Sequence, residues 1–470
     1  MSEGPAPPAA EPPVQDFAVA LRRLPWRTMV LLGLVGLTLA AVNHLLHRLG
    51  FELDTPNPWF PVSVFWARFH SHGWPWLLLF GGLTAFALLR GHRFGPWGSW
   101  GLGLGLVLAA NLIQGGPEAA FLEPLTEETF GVHQYYHDAL EVEDAGRWLG
   151  SFNAQQEHLG LHARTHPPFA VLLPHLLLRL GGVKGLSFAF ILAASLTLPI
   201  LWAILGRLGA DPPRRALLVL LLAAIPAFNV YAAVTLDGVV AATSTLFLLG
   251  LVRFVVSDRD FRRLEGGTVA ALAGGFLLTQ ALTFAGVFLL AVLVPLAAWE
   301  RWRYRRWDLV FLLGGLLLLA ALVEVALHAA FGYDHLQALL TATRLEHLEA
   351  SFRLAAPLGY LATRVESVCE IGLFLSLPAL AVLLTPGRRG AFRLDSQGPA
   401  RILPLAAVAT VAAMLIAGAF RTGETARICL FLYPYLLLPL ADRKVSEIRA
   451  LLLLAALQTA AMQLVGDFFW

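Results

Sequence analysis

Charge is what this chain has least of: Asp, Glu, Lys and Arg make up 14% of its 470 residues, against 57% hydrophobic residues. Soluble domains carry roughly a quarter charged residues, so a string of soluble domains is excluded. With a net charge of only +2, no nucleic-acid partner is expected. Two cysteines, Cys369 and Cys429, fall at or within apolar runs, which excludes a disulfide framework or a cysteine metal knuckle. There is no P-loop and no dinucleotide fingerprint, so nothing calls for a nucleotide. No internal repeat supports an inverted-repeat transporter. The opening MSEGPAPPAAEPPVQD lacks the basic stretch of a cleavable signal. Residues 1–24 are therefore expected to be a disordered cytoplasmic tail, with the first helix as an uncleaved anchor.

What the chain has in abundance is long apolar runs. A mean hydropathy of +0.67 marks a polytopic membrane protein, because segments of ~18 to 22 apolar residues match the thickness of a bilayer core. Such runs fall at 27–46, 74–90, 97–114, 185–206, 216–234, 239–256, 267–283, 284–299, 308–329, 366–385, 402–419, 428–441 and 448–466. The expected fold is all-α, one integral membrane domain over 25–470 with about thirteen transmembrane helices. The segment 168–181 is too short to span and is interrupted by Pro174, His175 and Arg179. If it stays on one face, 23 of the 34 Lys and Arg residues share the cytoplasmic side, as the positive-inside tendency requires. It reads as an interfacial or re-entrant helix, with the N-terminus cytoplasmic and the C-terminus outside.

Between the apolar runs lies one conspicuously polar interval, EETFGVHQYYHDALEVEDAGRWLGSFNAQQEHLGLHARTHPP at 127–168. It belongs to an outer loop, 115–168, that suits an aqueous site. Asp138, Glu141, Asp144 and Trp148 recur every three to four residues and would share one face of an amphipathic helix. Asp138 follows the aromatic pair Tyr135 and Tyr136, which suit a membrane edge, and a carboxylate there could act as a general base. A solvated acidic face explains the same residues equally well. In HARTHPPF the prolines hold His166 out of helical geometry at a helix start. Arg164 and His166 could then cradle a phosphate, unless His-Pro-Pro merely ends a loop. Asp237 stands at a turn between spans and could be a helix cap. Glu324 lies inside an apolar run, where it could bond to His328 one turn on. Arg421, Glu424 and Arg427 sit between two late spans, where they could bind a phosphate or pair with one another. The second outer loop, 330–365, reads as an amphipathic interfacial helix. Its His and Glu residues could hold a divalent metal, but no ligand spacing marks one.

The acidic loop with YYHDA and the closing THPP resemble the first outer loop of the GT-C superfamily, the multi-spanning glycosyltransferases that use lipid-phosphate-linked sugars. The likeness is to bacterial members similar to protein O-mannosyltransferases and aminoarabinose transferases. The segment 225–249 around Asp237 and RTGETARICLFLYP at 421–434 are similar to later parts of that pattern. The resemblance implies a GT-C-like fold and a polyprenyl-phosphate-linked sugar as donor. It implies a glycan, lipid or protein acceptor in the cell envelope, and a site on the outer face of the inner membrane, in contact with membrane lipid. It leaves the base open among Glu128, Asp138 and Glu141, since the family's Asp-Glu pair at the loop start stands here as Glu127-Glu128. Arg164, His166, Asp237, Arg421, Glu424 and Arg427 are the expected substrate contacts. A transporter or flippase of a lipid-linked or anionic substrate is the alternative, disfavoured because the polar residues gather in outer loops rather than at the bilayer midplane.

Overall fold

A computed structural model describes residues 13–51, 60–62, 66–126, 135–257, 265–348, 357–385, 402–420 and 423–468. The chain is an all-α multi-pass membrane protein. Among the described residues the only sheet is a two-stranded one, pairing Trp66–Ala67 antiparallel with Gly466–Asp467. Eight helices among the described residues are long and apolar enough to cross a membrane: Trp26–Arg48, Trp74–Arg93, Pro96–Gln114, Phe169–Arg207, Leu236–Val256, Phe284–Tyr304, Asp308–Phe331 and Val445–Val465. A ninth is possible if Pro357–Phe374 and Leu377–Leu384, bent by 105°, count as one span. The remaining expected spans are helical but short or broken. Gly266–Leu282, Leu403–Ile416 and Leu430–Asp442 are shorter apolar helices, and Pro212–Ala224 stops at Pro226 before a second piece, Pro226–Tyr231.

That break is tolerated because neighbouring side chains take up the carbonyls it strands. Asn229 Nδ2 donates to the Ala223 carbonyl at 2.9 Å, and Thr459 Oγ1 donates to that of Ala224 at 2.7 Å. Asn111 Nδ2 donates in turn to the Asn229 carbonyl at 2.7 Å. Close helix packing relies on small residues as well. A side chain at Gly250 would come within 2.6 Å of the Leu272 backbone nitrogen, so only glycine lets Leu236–Val256 lie against Gly266–Leu282 this closely.

Two expectations, for the N-terminal tail and for Glu324, meet different structure, and a third segment shows how it joins its neighbour. Residues 13–23, placed in a disordered tail, form the helix Pro13–Arg23. Phe17, Ala20, Leu21 and Leu24 recur at helical spacing, and Ala20 and Leu24 are buried in the core, so this stretch has an apolar face to bury. Residues 169–181 are helical and run into the next span. Non-helical backbone at Gly182 (φ 61°, ψ −164°) divides the two, a conformation that glycine adopts without strain. The first piece sits against the loop helix Tyr136–Glu141, where His175 Nδ1 meets the Ala139 carbonyl at 3.0 Å. Glu324 does not pair with His328. Its Oε1 instead accepts from the His335 backbone N–H at 2.8 Å, fixing the start of the helix His335–Leu348.

The two ends of the bundle differ in charge. Arg449, at the start of the last long helix, reaches His92 at the end of Trp74–Arg90 at 2.6 Å, with Arg93 near by. The opposite ends carry the segments 135–168 and 335–348, and these are tied together. Asn153 Nδ2 donates to the Asp334 carbonyl at 2.8 Å, while Gln156 Nε2 donates to the carbonyls of Arg164 and Ala338, each at 2.9 Å.

Candidate functional site

Where helix ends converge beneath these loops lies a cavity of about 310 Å³. Three stretches distant in sequence build its polar wall. Tyr135, His162 and His166 come from the segment 135–168, Asp237 from the first turn of Leu236–Val256, and Glu424 and Arg427 from the late loop. Leu339, Ala342, Thr343 and Glu346 enter from one face of His335–Leu348. Phe284, Met414 and Ile428 contribute apolar surface.

Arg427 is the hub. Its side chain is only 6% exposed; Nη2 donates to Glu424 Oε2 at 2.7 Å, and Nε lies 3.4 Å from Asp237 Oδ2. His162 Nε2 is 3.4 Å from the same Nη2. Two carboxylates face one guanidinium, so the trio carries net negative charge when both acids are ionised. Asp237 reaches this position because Thr235 caps the helix in its place, its hydroxyl accepting from the Gly238 N–H at 3.1 Å. The cap that sequence offered to Asp237 thus belongs to the residue two places earlier, which leaves the carboxylate to face the cavity.

His166 sits behind Tyr135, ring edge to ring face at 5.4 Å. Its Nδ1 lies 2.8 Å from the His162 carbonyl, which can only accept, so Nδ1 carries the proton and Nε2 is left as an acceptor. Burial, and to a lesser degree Arg427, push its pKa down to about 4, against the pull of that carbonyl. The imidazole is therefore neutral at physiological pH. Burial, reinforced by Asp237, also raises the Tyr135 phenol well above its usual range.

No protein-family model, curated protein or solved structure matches the chain. The site is thus read from its own geometry.

Of the residues picked out from sequence, His166, Asp237, Glu424 and Arg427 meet at the cavity. Asp138 and Arg164 do not line it. Asp138 is buried, with Oδ1 accepting from the Gly160 N–H at 3.1 Å, so it pins the turn that leads into the histidine segment. Burial raises its pKa, opposed by that N–H. The Arg164 carbonyl accepts from Gln156. Glu141 is exposed at the end of its short helix, away from the cavity. Glu128 and Arg421 lie outside the described residues. Among the described residues no three His, Cys, Asp or Glu side chains are grouped to hold a metal ion.

Sequence reasoning passed over Arg364, Glu366 and Glu370, which are buried in Pro357–Phe374 behind the late loop. The signal was available, because three charges on one otherwise apolar helix must be accommodated by partners or by function.

Proposed function

We propose that the protein is a glycosyltransferase of the inner membrane. It moves a sugar from a polyprenyl-phosphate donor to a glycan, lipid or protein acceptor at the extracytoplasmic face. The observation that carries this reading is the convergence of His166, Asp237, Glu424 and Arg427, from segments up to about 260 residues apart, on one cavity at the ends of apolar helices. A half-buried acid beside a buried guanidinium at a membrane edge suits a reaction that deprotonates a hydroxyl and releases a phosphate.

In this reading Asp237 takes the part first sought in Asp138. Its contact with Arg427 is the looser of the two, 3.4 Å against 2.7 Å for Glu424. Asp237 accepts the proton of the acceptor hydroxyl, whose oxygen bonds to the anomeric carbon of the sugar. The bond from that carbon to the phosphate oxygen breaks, its electron pair stays on the phosphate, and Arg427 meets the charge. The incoming phosphate competes with Glu424 for the guanidinium. His166, neutral and with Nε2 as acceptor, orients a hydroxyl of sugar or acceptor. Phe284, Leu339 and Met414 offer the first units of the prenyl chain an apolar wall.

The test is transfer from a labelled polyprenyl-phosphate sugar by purified protein, together with mass spectrometry of envelope glycans from a deletion strain. A new glycosidic product that is lost with Asp237→Asn supports the reading. An unchanged glycan profile with a redistributed lipid carrier defeats it. One observation favours a second reading, a transporter or flippase: the helices broken at Pro226 and bent by 105° after Phe374 are of the kind that transporters use near the midplane. Movement of intact lipid-linked substrate across vesicles without a covalent product would establish it.

A further inference from the structure

The late loop, which supplies two of the cavity's charged residues, is held at both ends by the buried face of one helix, Pro357–Phe374. At the near end, Arg364 Nη1 donates to the carbonyls of Leu415 at 2.7 Å and Ala419 at 2.9 Å, and Nη2 reaches that of Phe420 at 3.4 Å. These carbonyls close the helix Leu403–Ile416 and lead into the cavity wall at Gly418–Phe420. At the far end, Glu370 Oε1 accepts from the Ala426 N–H at 3.0 Å, with a second backbone contact from Thr425. One turn earlier, Ser367 Oγ takes the Thr425 hydroxyl at 3.2 Å. Ala426 and Thr425 lie in the short turn Thr425–Ile428 that carries Arg427.

A helix of four residues has no cooperative stability of its own, so its place depends on what grips it. The grip here is a fully buried carboxylate on an apolar helix, a placement costly enough to need a use. We infer that Glu370, aided by Ser367 and Arg364, is a positioning residue that sets where Arg427 meets its ligand. It acts through the backbone of the turn and touches no ligand itself. The inference rests on the reading of Arg427 as the group that receives the donor phosphate, but the grip on the turn can be measured without it.

The chain provides its own reporter. Cys429 closes the same turn and is fully buried, and Cys369 is the other cysteine of the chain. In the full-length protein carrying Cys369→Ser, a small maleimide should label Cys429 slowly. Glu370→Ala should raise that rate about tenfold or more, the cost of losing a buried acceptor. It should also weaken polyprenyl phosphate binding by as much as Arg427→Ala does. Glu370→Gln should restore both, because Oε1 remains as acceptor and the amide nitrogen takes the place of Oε2, which has no partner among the described residues. Should Glu370→Ala fail to fold, the double variant Ser367→Ala with Glu370→Gln takes its place and must label faster than Glu370→Gln alone. Cys429 as protected in these variants as in the parent overturns the inference, as does a Gln variant that opens the turn as far as Ala. If the parent protein binds no polyprenyl phosphate, the donor reading falls, while the thiol rates still decide whether Glu370 holds the turn.

Discussion

Two acids are separated by their surroundings at the scale of single residues. Asp138 is buried against a backbone N–H, whereas Asp237 opens on the cavity beside Arg427. Asp237→Asn is expected to cut transfer by ~100- to 10,000-fold, the usual contribution of a general base, and Asp138→Asn to leave turnover near the parent value. Kinetics of the two purified variants check this, and the reverse order would return the base to the outer loop. Glu424 separates a ligand role for Arg427 from a brace. If the phosphate competes with Glu424, Glu424→Gln should tighten polyprenyl phosphate binding several-fold by removing a like charge. A brace would give weaker binding instead. His166 gives a pH signature. Its folded pKa, about 4, lies below the ordinary imidazole value of 6.5, so the unfolded chain binds the extra proton. The stability this group contributes is complete above pH 6.5 and is lost as pH falls toward 4. Thermal unfolding in detergent should show that decline, and His166→Asn, whose amide can still donate to the His162 carbonyl, should flatten it.

The informative elements are those that break. Pro226 stops a buried helix, and the carbonyls of Ala223 and Ala224 then depend on Asn229 and Thr459. Thr459→Val keeps shape and removes the donor, so it should cost about 1–3 kcal/mol, read as a lower unfolding temperature. An unchanged value would mean that water replaces the hydroxyl. The expected span 216–234 ran through Pro226 and missed that break, whereas the segment 168–181 was recognised as too short to span. The partners that make each break tolerable could not be read, since Thr459 stands more than 230 residues from the carbonyl it serves. The segment 330–365 likewise read as an amphipathic interfacial helix, and the structure has His335–Leu348 there. That Glu346 and Thr343 would face a cavity, and Leu336 and Leu340 not, required the loops above it to be in place.

The whole molecule has two chemically different ends. Arg449, Arg93 and His92 gather at one, and the cavity with its two tied loops occupies the other. The proposed topology, which follows the positive-inside tendency, directs the cavity away from the cytoplasm. A Ser151→Cys variant without the native cysteines tests this, since Ser151 is exposed in the outer loop helix Ala145–Gln155. An impermeant maleimide should label it in intact spheroplasts. Labelling only after the membrane is opened would invert the orientation and rule out an extracytoplasmic site.

The sequence by itself determined the solvent of this protein and the material of its fold. Scarce charge and apolar runs of bilayer length leave the helix as the economical way to satisfy the backbone in lipid. The polar interval before the THPP turn, the lone Asp237 and the Glu424–Arg427 pair stood out for the same reason, as charges that lipid does not tolerate unpaired. Which of them act together was decided only by tertiary structure. Thr235 rather than Asp237 took the helix cap, Gly160 took Asp138, and Glu370 took the turn that bears Arg427. The Thr235 cap is local, reaching three residues along, but the other two are hydrogen bonds whose geometry depends on where the chain folds back, and linear spacing carries no information about that.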